Sequence, residues 1–254
     1  MLRIEHLAHT SRWTRRHPAE KVVLGFGLLL LSLVLPPLPG APLVLGAAVG
    51  AAVWGARTPA AEYARVMAPP VAFLAAGALA LAVSLRLDGE GPWLSFSAAG
   101  AAVAAETSLR ALAATASLLL IILTTPIAEV LGLLRRAGLP ASIVDMMLLI
   151  YRFVAIALDV AATGRRAQEA RLGYDGLRRS IRSTGLLAAS LLPRVLDRAT
   201  RMQHGLAARG YAGELRVLAP ARALSVRFVA LALLSQAAIA LVVYSMPAVA
   251  IWRW

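Results

Sequence analysis

The chain contains no cysteine in its 254 residues, so disulfide bonds, thiolate metal ligands and cysteine nucleophiles are excluded. Lysine occurs only once, at Lys21, and only 13 residues are acidic. No segment has the Gly-x-x-x-x-Gly-Lys-Ser/Thr pattern, so the chain does not bind ATP through a P-loop. No serine, histidine and aspartate have a spacing that indicates a catalytic triad. The sequence therefore indicates neither of these two common kinds of catalytic site.

Charged residues are also scarce, at 15% of the chain, whereas 59% is apolar and the mean hydropathy is +0.73. A soluble domain of this size would not carry so much apolar surface, and long uncharged runs indicate a membrane protein. Residues 1–21 lack the short apolar core and small-residue cleavage site of a signal peptide, so we expect them to be retained.

Five apolar segments predict five membrane-spanning helices. The uncharged run 22–56 is interrupted by prolines and glycine at 36–40, which predicts two short helices joined by a tight turn. Three further spans are predicted at 66–85, 107–128 and 228–252. The predicted fold is therefore an all-α, polytopic integral membrane protein with about five transmembrane helices and long cytoplasmic helices.

The segment 139–158 is apolar, but it contains Asp145 and Arg152, and Asp159 follows it. If it crossed the membrane, the arginine-rich segment 165–222 would lie outside, against the positive-inside rule. We therefore predict that 139–158 packs in or beside the membrane without spanning it. The three charged residues recur every seven positions, so they would share one sheltered helix face and pair there, because unpaired charge in lipid is costly.

The same rule predicts a cytoplasmic N-terminus and an external C-terminus, where Trp252 and Trp254 would form part of an aromatic belt. Three domains follow from this topology. They are an N-terminal membrane domain with four spans (1–138), a cytoplasmic module (139–222) and a C-terminal transmembrane helix (223–254).

The segment 165–222 carries twelve arginines and four acidic residues, and so contributes eight of the thirteen net positive charges. A short motif occurs twice within it, the second copy being one residue shorter. The two copies are Ala170-Arg171-Leu172-Gly173-Tyr174-Asp175-Gly176 and Ala208-Arg209-Gly210-Tyr211-Ala212-Gly213. This duplication suggests two equivalent docking points for two equivalent partners.

Two helices are predicted around these motifs. The first would extend over 139–171 and the second over 193–209, because proline favours a helix start and glycine follows both ends. The uncharged segment 185–192 would lie between them. Both Ala-Arg pairs would then lie at helix C-termini, where the helix dipole favours a cation.

This layout resembles the transmembrane coupling (T) component of energy-coupling-factor (ECF) transporters, the EcfT/CbiQ family. The resemblance extends over nearly the whole chain, and its specific part is the pair of Ala-Arg-Gly signatures at the ends of two coupling helices. The first signature departs from the family pattern by the inserted Leu172. Residues 126–140 resemble the stretch that precedes the coupling helices, and residues 8–21 resemble the cobalt-type branch, CbiQ.

The resemblance implies a non-catalytic coupling subunit of a cobalt importer in the bacterial cytoplasmic membrane. The implied partners are two CbiO-like ABC ATPases and a CbiM-like substrate-binding membrane subunit, and a small CbiN-like membrane subunit is a further candidate. ATP and Mg²⁺ would be bound by the ATPases, and this chain would hold no cofactor. The implied ATPase-docking residues are Ala170, Arg171, Gly173, Ala208, Arg209 and Gly210.

Other functions remain open at this point. His6 and His9, followed by His17, could contribute imidazole ligands to a late first-row metal, but no third ligand has a clear spacing. The high positive charge could indicate nucleic-acid binding, but no sequence-reading module is visible, and arginine-rich loops of membrane proteins are normally cytoplasmic.

Two further rivals are a membrane-embedded phosphotransferase and an autonomous secondary transporter. The phosphotransferase would need several aspartates at helical spacing to hold divalent metal, and only Asp159 and Asp175 lie near the first Ala-Arg pair. The transporter would favour inverted repeats among the spans, whereas the repeat found here lies in the arginine-rich segment.

Overall fold

The structure is a computed structural model, and it describes residues 3–86, 93–96, 98–210 and 222–246. Helices account for nearly all of the described residues, so the all-α prediction is confirmed. The helices are α1 (Arg3–Thr10), α2 (Pro18–Val34), α3 (Pro37–Gly50), α4 (Ala60–Ala82), α5 (Ala98–Thr124), α6 (Ile127–Arg136), α7 (Ala141–Glu169), α8 (Leu177–Ala207) and α9 (Val226–Ser245). A 3-10 turn (Arg12–Arg15) precedes α2, and a π-helical turn (Ala51–Gly55) extends α3.

One short antiparallel strand pair was not predicted from the sequence. Strand β1 (Val83–Arg86) follows α4 and pairs with β2 (Trp93–Phe96), with Val83 opposite Phe96. The predicted aromatic belt at Trp252 and Trp254, the second-motif residues 211–213 and the side chain of His6 lie outside the described residues.

The chain divides into two compact units. The arginine-rich unit comprises Met1–Arg3 and Ala128–Pro220, and the bundle unit comprises Ile4–Ile127 and Ala221–Trp254. The assignment of 1–138, 139–222 and 223–254 to membrane and cytoplasm stays a prediction.

The bundle unit is organised around α5, which contacts α2, α3 and α4. Small residues lie at the contact surfaces: Ala113 and Ala116 of α5 are fully buried, as is Ala48 of α3. Small side chains let helix backbones approach closely, which favours packing in a membrane, where the hydrophobic effect gives little help. Larger side chains, including Leu120 and Val44, fill the space beside them.

A polar contact joins α9 to α2 within this bundle. The Nε2 of Gln236 donates hydrogen bonds of 3.1 Å each to the carbonyl oxygens of Val23 and Leu24. A Cβ atom added at Gly27 would clash with the amide nitrogen and oxygen of Gln236. Glycine therefore leaves the room that this interhelical contact requires.

Among the described residues, five helices are long and apolar enough to cross a membrane. They are Pro37–Gly55, Ala60–Ala82, Gly100–Thr124, Ala141–Glu169 and Val226–Ser245. The prediction of a polytopic protein is confirmed, and the chain is a multi-pass membrane protein.

The set of five differs from the predicted set. Helix α2 has only 17 residues, about 25 Å of helix against a hydrocarbon core of about 30 Å, and the prolines that follow Leu35 end it. Helix α7 is included because Asp145 and Arg152 do not offset its apolar residues, and the mean hydropathy of its most apolar stretch is 2.0. Length and composition thus permit α7 to span, and the non-spanning prediction rests on charge distribution alone.

Candidate functional site

The two motif copies follow two long helices, and the second helix is longer than predicted. Helix α8 begins at Leu177 rather than at Pro193, which lies inside it. The segment 185–192, predicted to separate two helices, is therefore helical. An internal proline removes one hydrogen bond and strains the preceding turn, and packing against α7 offsets that cost here.

Helices α7 and α8 of the arginine-rich unit form an antiparallel hairpin. The Gln168 Nε2 donates to the Ser183 carbonyl at 3.0 Å, and Gly164 faces Leu187. An earlier residue of α7 thus contacts a later residue of α8, as antiparallel helices require. A Cβ atom at Gly164 would lie 2.6 Å from the Leu187 side chain. The uncharged part of α8 thus packs closely on α7, and this explains why the helix continues through the predicted break.

The first motif ends α7 in a defined hydrogen-bonded turn. The Gly173 N–H donates to the Gln168 carbonyl at 2.9 Å, and the Leu172 N–H donates to the Glu169 carbonyl at 3.0 Å. Leu172 has a φ of +57°, in the left-handed region. This pair of bonds around a left-handed residue is the Schellman arrangement, and Arg171 is the residue immediately before the left-handed position.

The second motif also ends α8 at a left-handed residue. Gly210 has a φ of +73°, and its N–H donates to the Ala207 carbonyl at 3.0 Å. Arg209 directly precedes this left-handed residue, as Arg171 precedes Leu172. The two arginines therefore occupy equivalent positions, and Leu172, rather than Gly173, is the structural counterpart of Gly210.

Gly173 has a different role in the connection between α7 and α8. The Ser183 hydroxyl donates to its carbonyl at 2.8 Å, and the Tyr174 hydroxyl donates to the Gln168 Oε1 at 2.8 Å. A Cβ atom at Gly173 would lie 2.8 Å from the Ser183 Oγ and 2.9 Å from the Gln168 carbonyl oxygen. Close approach, rather than a positive φ, therefore requires glycine at this position, and the network fixes the start of α8 against the end of α7.

The side chains of Arg171 and Arg209 are exposed, and so are Ala170 and Ala208 beside them. In the described part of the chain, the Arg171 and Arg209 guanidinium groups make no ion pair or hydrogen bond. Neighbouring arginines do form intramolecular ion pairs with residues four positions away: Arg165 with Glu169, Arg179 with Asp175, and Arg201 with Asp197. The two motif arginines are thus available to a partner, as is Arg178, which lies outside the motif.

The charged residues Asp145, Arg152 and Asp159, predicted to share one sheltered helix face, differ in burial. Asp145 is 2% exposed, whereas Arg152 and Asp159 are exposed. Two turns, about 10 Å along the helix, separate consecutive members. Arg152 forms no ion pair with any described residue. Their pairing on one helix face stays a prediction.

The histidines do not assemble a metal site within the described residues. No group of three potential histidine or acidic ligands lies together there. His17 instead ends the loop before α2, where its Nδ1 accepts a hydrogen bond of 3.2 Å from the Ala19 N–H. His9 lies 3.9 Å from the carboxylate of Glu5.

Sequence reasoning missed two residues at the start of α2. Glu20 and Lys21 are each 1% exposed, and both contact backbone groups of other helices in the bundle unit. A signal was present: the only lysine of the chain follows a glutamate directly before a 35-residue uncharged run. Adjacent opposite charges at the start of an apolar helix indicate paired burial or an interface position, but they do not reveal the partners.

Comparison with known proteins identifies the family. A family model described as CbiQ, cobalt transport protein, matches residues 10–219, which is most of the chain. The chain belongs to the CbiQ family. The resemblance to the EcfT/CbiQ family, which was based on the two Ala-Arg-Gly signatures, is therefore confirmed.

Three relatives place this CbiQ-family chain among named transport proteins. A protein of Rhodobacter capsulatus named cobalt transport protein CbiQ is 44% identical over 236 residues, which cover 93% of this chain and 95% of the relative. A protein of Salmonella typhimurium with the same name is 32% identical, with 85% and 100% covered. A putative fused cobalt transport protein CbiMQ of Methanocorpusculum labreanum is 30% identical over 71% of this chain and 32% of the relative.

Proposed function

We propose that this chain is the non-catalytic, membrane-embedded coupling subunit of an ECF-type importer that carries cobalt ions. The observation that carries the proposal is the equivalence of Arg171 and Arg209. Each arginine is exposed, has no side-chain partner among the described residues, and directly precedes a left-handed residue that ends a long helix. Two equal helix ends fit two equal partners, here two CbiO-like ATPases.

The chemistry of this position favours docking. Guanidinium presents a planar fork of donors that matches carboxylates and backbone carbonyls bidentately. The turn at each helix end holds the arginine backbone rigid, and the exposed Ala170 and Ala208 leave room for close approach. Such docking transmits motion only if the two ATPase conformations bind the helix ends with different affinity.

The relatives support the choice of cargo and of the second partner. The names of the Rhodobacter and Salmonella relatives support cobalt as the transported ion. The fused relative, whose name joins CbiM and CbiQ in one chain, supports a CbiM-like membrane subunit as a partner. A CbiN-like accessory subunit and a cytoplasmic N-terminus in the bacterial inner membrane belong to the same proposal.

The test is co-purification with CbiO-like and CbiM-like subunits, combined with cobalt uptake in proteoliposomes. Arg171→Ala and Arg209→Ala should each weaken ATPase association by about 2–5 kcal/mol and lower uptake, because a charge-assisted contact loses one partner. Lysine at either position should restore association only in part, because it lacks the planar fork.

Arg178→Ala is the matched control, since Arg178 is exposed on the same hairpin but lies outside the motif. It should assemble and transport as the unmodified protein does. If Arg171→Ala, Arg209→Ala and Arg178→Ala behave alike, the repeated motif is only part of a general basic surface, and the docking assignment is wrong.

A further inference from the structure

Two adjacent residues of opposite charge are buried in the bundle unit. Glu20 and Lys21 stand at the start of α2, and each is 1% exposed. Burying charge costs several kcal/mol unless hydrogen bonds and counter-charges compensate. Neighbouring residues of a helix point in directions about 100° apart, so the two side chains reach different neighbours rather than each other.

Lys21 contacts the end of α5. Its Nζ donates a hydrogen bond of 2.9 Å to the carbonyl of Thr124, the last residue of that helix. Carbonyls of a last helical turn have no intrahelical partner, and the helix dipole favours a cation there. Three residues later, after Ile127, the chain leaves the bundle unit.

Glu20 contacts the start of α9. Its Oε1 accepts a hydrogen bond of 2.7 Å from the N–H of Ser225, the residue that caps α9. Its Oε2 lies 3.5 Å from the Nη1 of Arg16, and the Arg16 guanidinium lies 4.4 Å from the ring centre of Phe228. The Nη1 of Arg222 donates to the Arg16 carbonyl at 3.3 Å. The chain re-enters the bundle unit at Ala221, four residues before Ser225.

One turn of α2 thus contacts the backbone shortly before the arginine-rich unit begins in the sequence and shortly after it ends. Lys21 fixes the backbone shortly before the chain leaves, and Glu20 fixes it shortly after the chain returns. Helix α2 also contacts α5, α9 and α3 directly. The two connecting segments join the arginine-rich unit to the end of α5 and to the start of α9. Because α2 holds both of these helix ends, movement of either segment is transmitted to the packed bundle and does not simply unwind the ends of α5 or α9.

We propose that Glu20 and Lys21 are positioning residues that couple movement of the arginine-rich unit to the membrane bundle, by anchoring the end of α5 and the start of α9 to α2. The inference rests on the proposed function, because it concerns how ATPase-driven motion reaches the bundle. It predicts that loss of either anchor separates ATP hydrolysis from transport, whereas docking through Arg171 and Arg209 is unaffected.

The experiment uses the complete complex of this chain, both ATPases and the substrate-binding subunit in proteoliposomes. ATP hydrolysis and cobalt uptake are measured together, and assembly is measured by co-purification. Lys21→Met and Glu20→Met keep the side-chain volume but remove the charged hydrogen-bonding groups. Each should lower cobalt taken up per ATP hydrolysed by at least about tenfold, the equivalent of one lost charged hydrogen bond. Hydrolysis and assembly should stay within about twofold of the unmodified complex, a change well under one such bond.

Two further variants separate this role from a merely structural one. Glu20→Gln keeps an acceptor oxygen for the Ser225 N–H, so it should restore most of the coupling that Glu20→Met loses. Ser32→Ala is the matched control, because Ser32 is equally buried in α2 but its hydroxyl bonds only to the Leu29 carbonyl of its own helix. It should transport with normal coupling.

Three outcomes would overturn the inference. The first is that uptake and hydrolysis fall in parallel, and the second is that the ratio of cobalt uptake to ATP hydrolysis is unchanged in Glu20→Met and Lys21→Met. The third is that assembly is lost in both methionine variants and in Glu20→Gln. Each would show that Glu20 and Lys21 have no coupling role. The proposed function fails separately, if the unmodified chain does not associate with the ATPases or if Arg171→Ala and Arg209→Ala associate normally.

Discussion

Replacing Leu172 tests the backbone geometry that ends α7. This residue has a φ of +57°, and left-handed backbone costs an L-residue about 1–2 kcal/mol, whereas glycine adopts it freely. The Leu172 side chain is 69% exposed, so its truncation removes little burial energy. The informative comparison is between Leu172→Gly and Leu172→Ala, because both lose nearly the same side-chain contacts and differ mainly in backbone strain.

The structure predicts the sign of this difference. Glycine loses about 0.5–1 kcal/mol more conformational entropy on folding than alanine. At position 172 the relieved strain of about 1–2 kcal/mol exceeds this loss, so Leu172→Gly should be more stable than Leu172→Ala by about 0.5–1 kcal/mol. Ala167 is the matched control, since it is an exposed residue inside α7, and Ala167→Gly should lower the stability.

Thermal unfolding of the purified full-length protein in detergent measures the effect. For a chain of this size the expected difference in Tm is about 1–4 °C. Gly210→Ala, at the equivalent position after α8, should lower the Tm by a similar amount. At position 167, inside the helix, glycine should have a lower Tm than alanine. If Leu172→Gly likewise has a lower Tm than Leu172→Ala, the left-handed turn after Arg171 is not present. The equivalence of the two helix ends is then refuted.

Two further substitutions test the packing. Gly173→Ala should destabilise the protein by about 1–3 kcal/mol, because its Cβ would lie 2.8 Å from the Ser183 Oγ and break a half-buried hydrogen bond; an unchanged Tm would contradict the close approach. Gln236→Leu should lower the free energy of unfolding by about 1 kcal/mol through loss of its two bonds to α2, measured by thermal unfolding in detergent. Ser235→Ala, whose hydroxyl bonds only within α9, is the control for Gln236→Leu, and equal effects of the two would show that the interhelical bonds contribute nothing.

The end of α7 was predictable from the sequence because its signals are local. The predicted end at Arg171 lies two residues beyond the observed Glu169, since glycine and a change of composition follow the helix. The start of α8 was not predictable from the same rules. Pro193 reads as a helix start, but packing of the preceding turns on α7 keeps the helix continuous from Leu177, and this tertiary contact has no local signature.

The burial of Glu20 and Lys21 was not predictable for a different reason. Their partners are the carbonyl of Thr124 and the N–H of Ser225, and every residue supplies such groups. No pairing rule between side chains can therefore point from one segment to the other across more than 100 residues. The strand pair after α4 escaped prediction because β1 has only four residues and continues an apolar run that reads as helix.

The role of Leu172 changes how the repeated motif is understood. A sequence comparison aligns glycine with glycine and treats Leu172 as an insertion, whereas the backbone aligns Leu172 with Gly210, because each has a positive φ directly after the arginine. What the two helix ends share is an arginine followed at once by a left-handed residue, and glycine is only the least strained choice for it. An exposed leucine in a strained conformation persists when other contacts offset its cost. Here the bonds of Gly173 and Gln168 to Ser183 hold the turn, so the first helix end keeps the geometry of the second although its sequence differs.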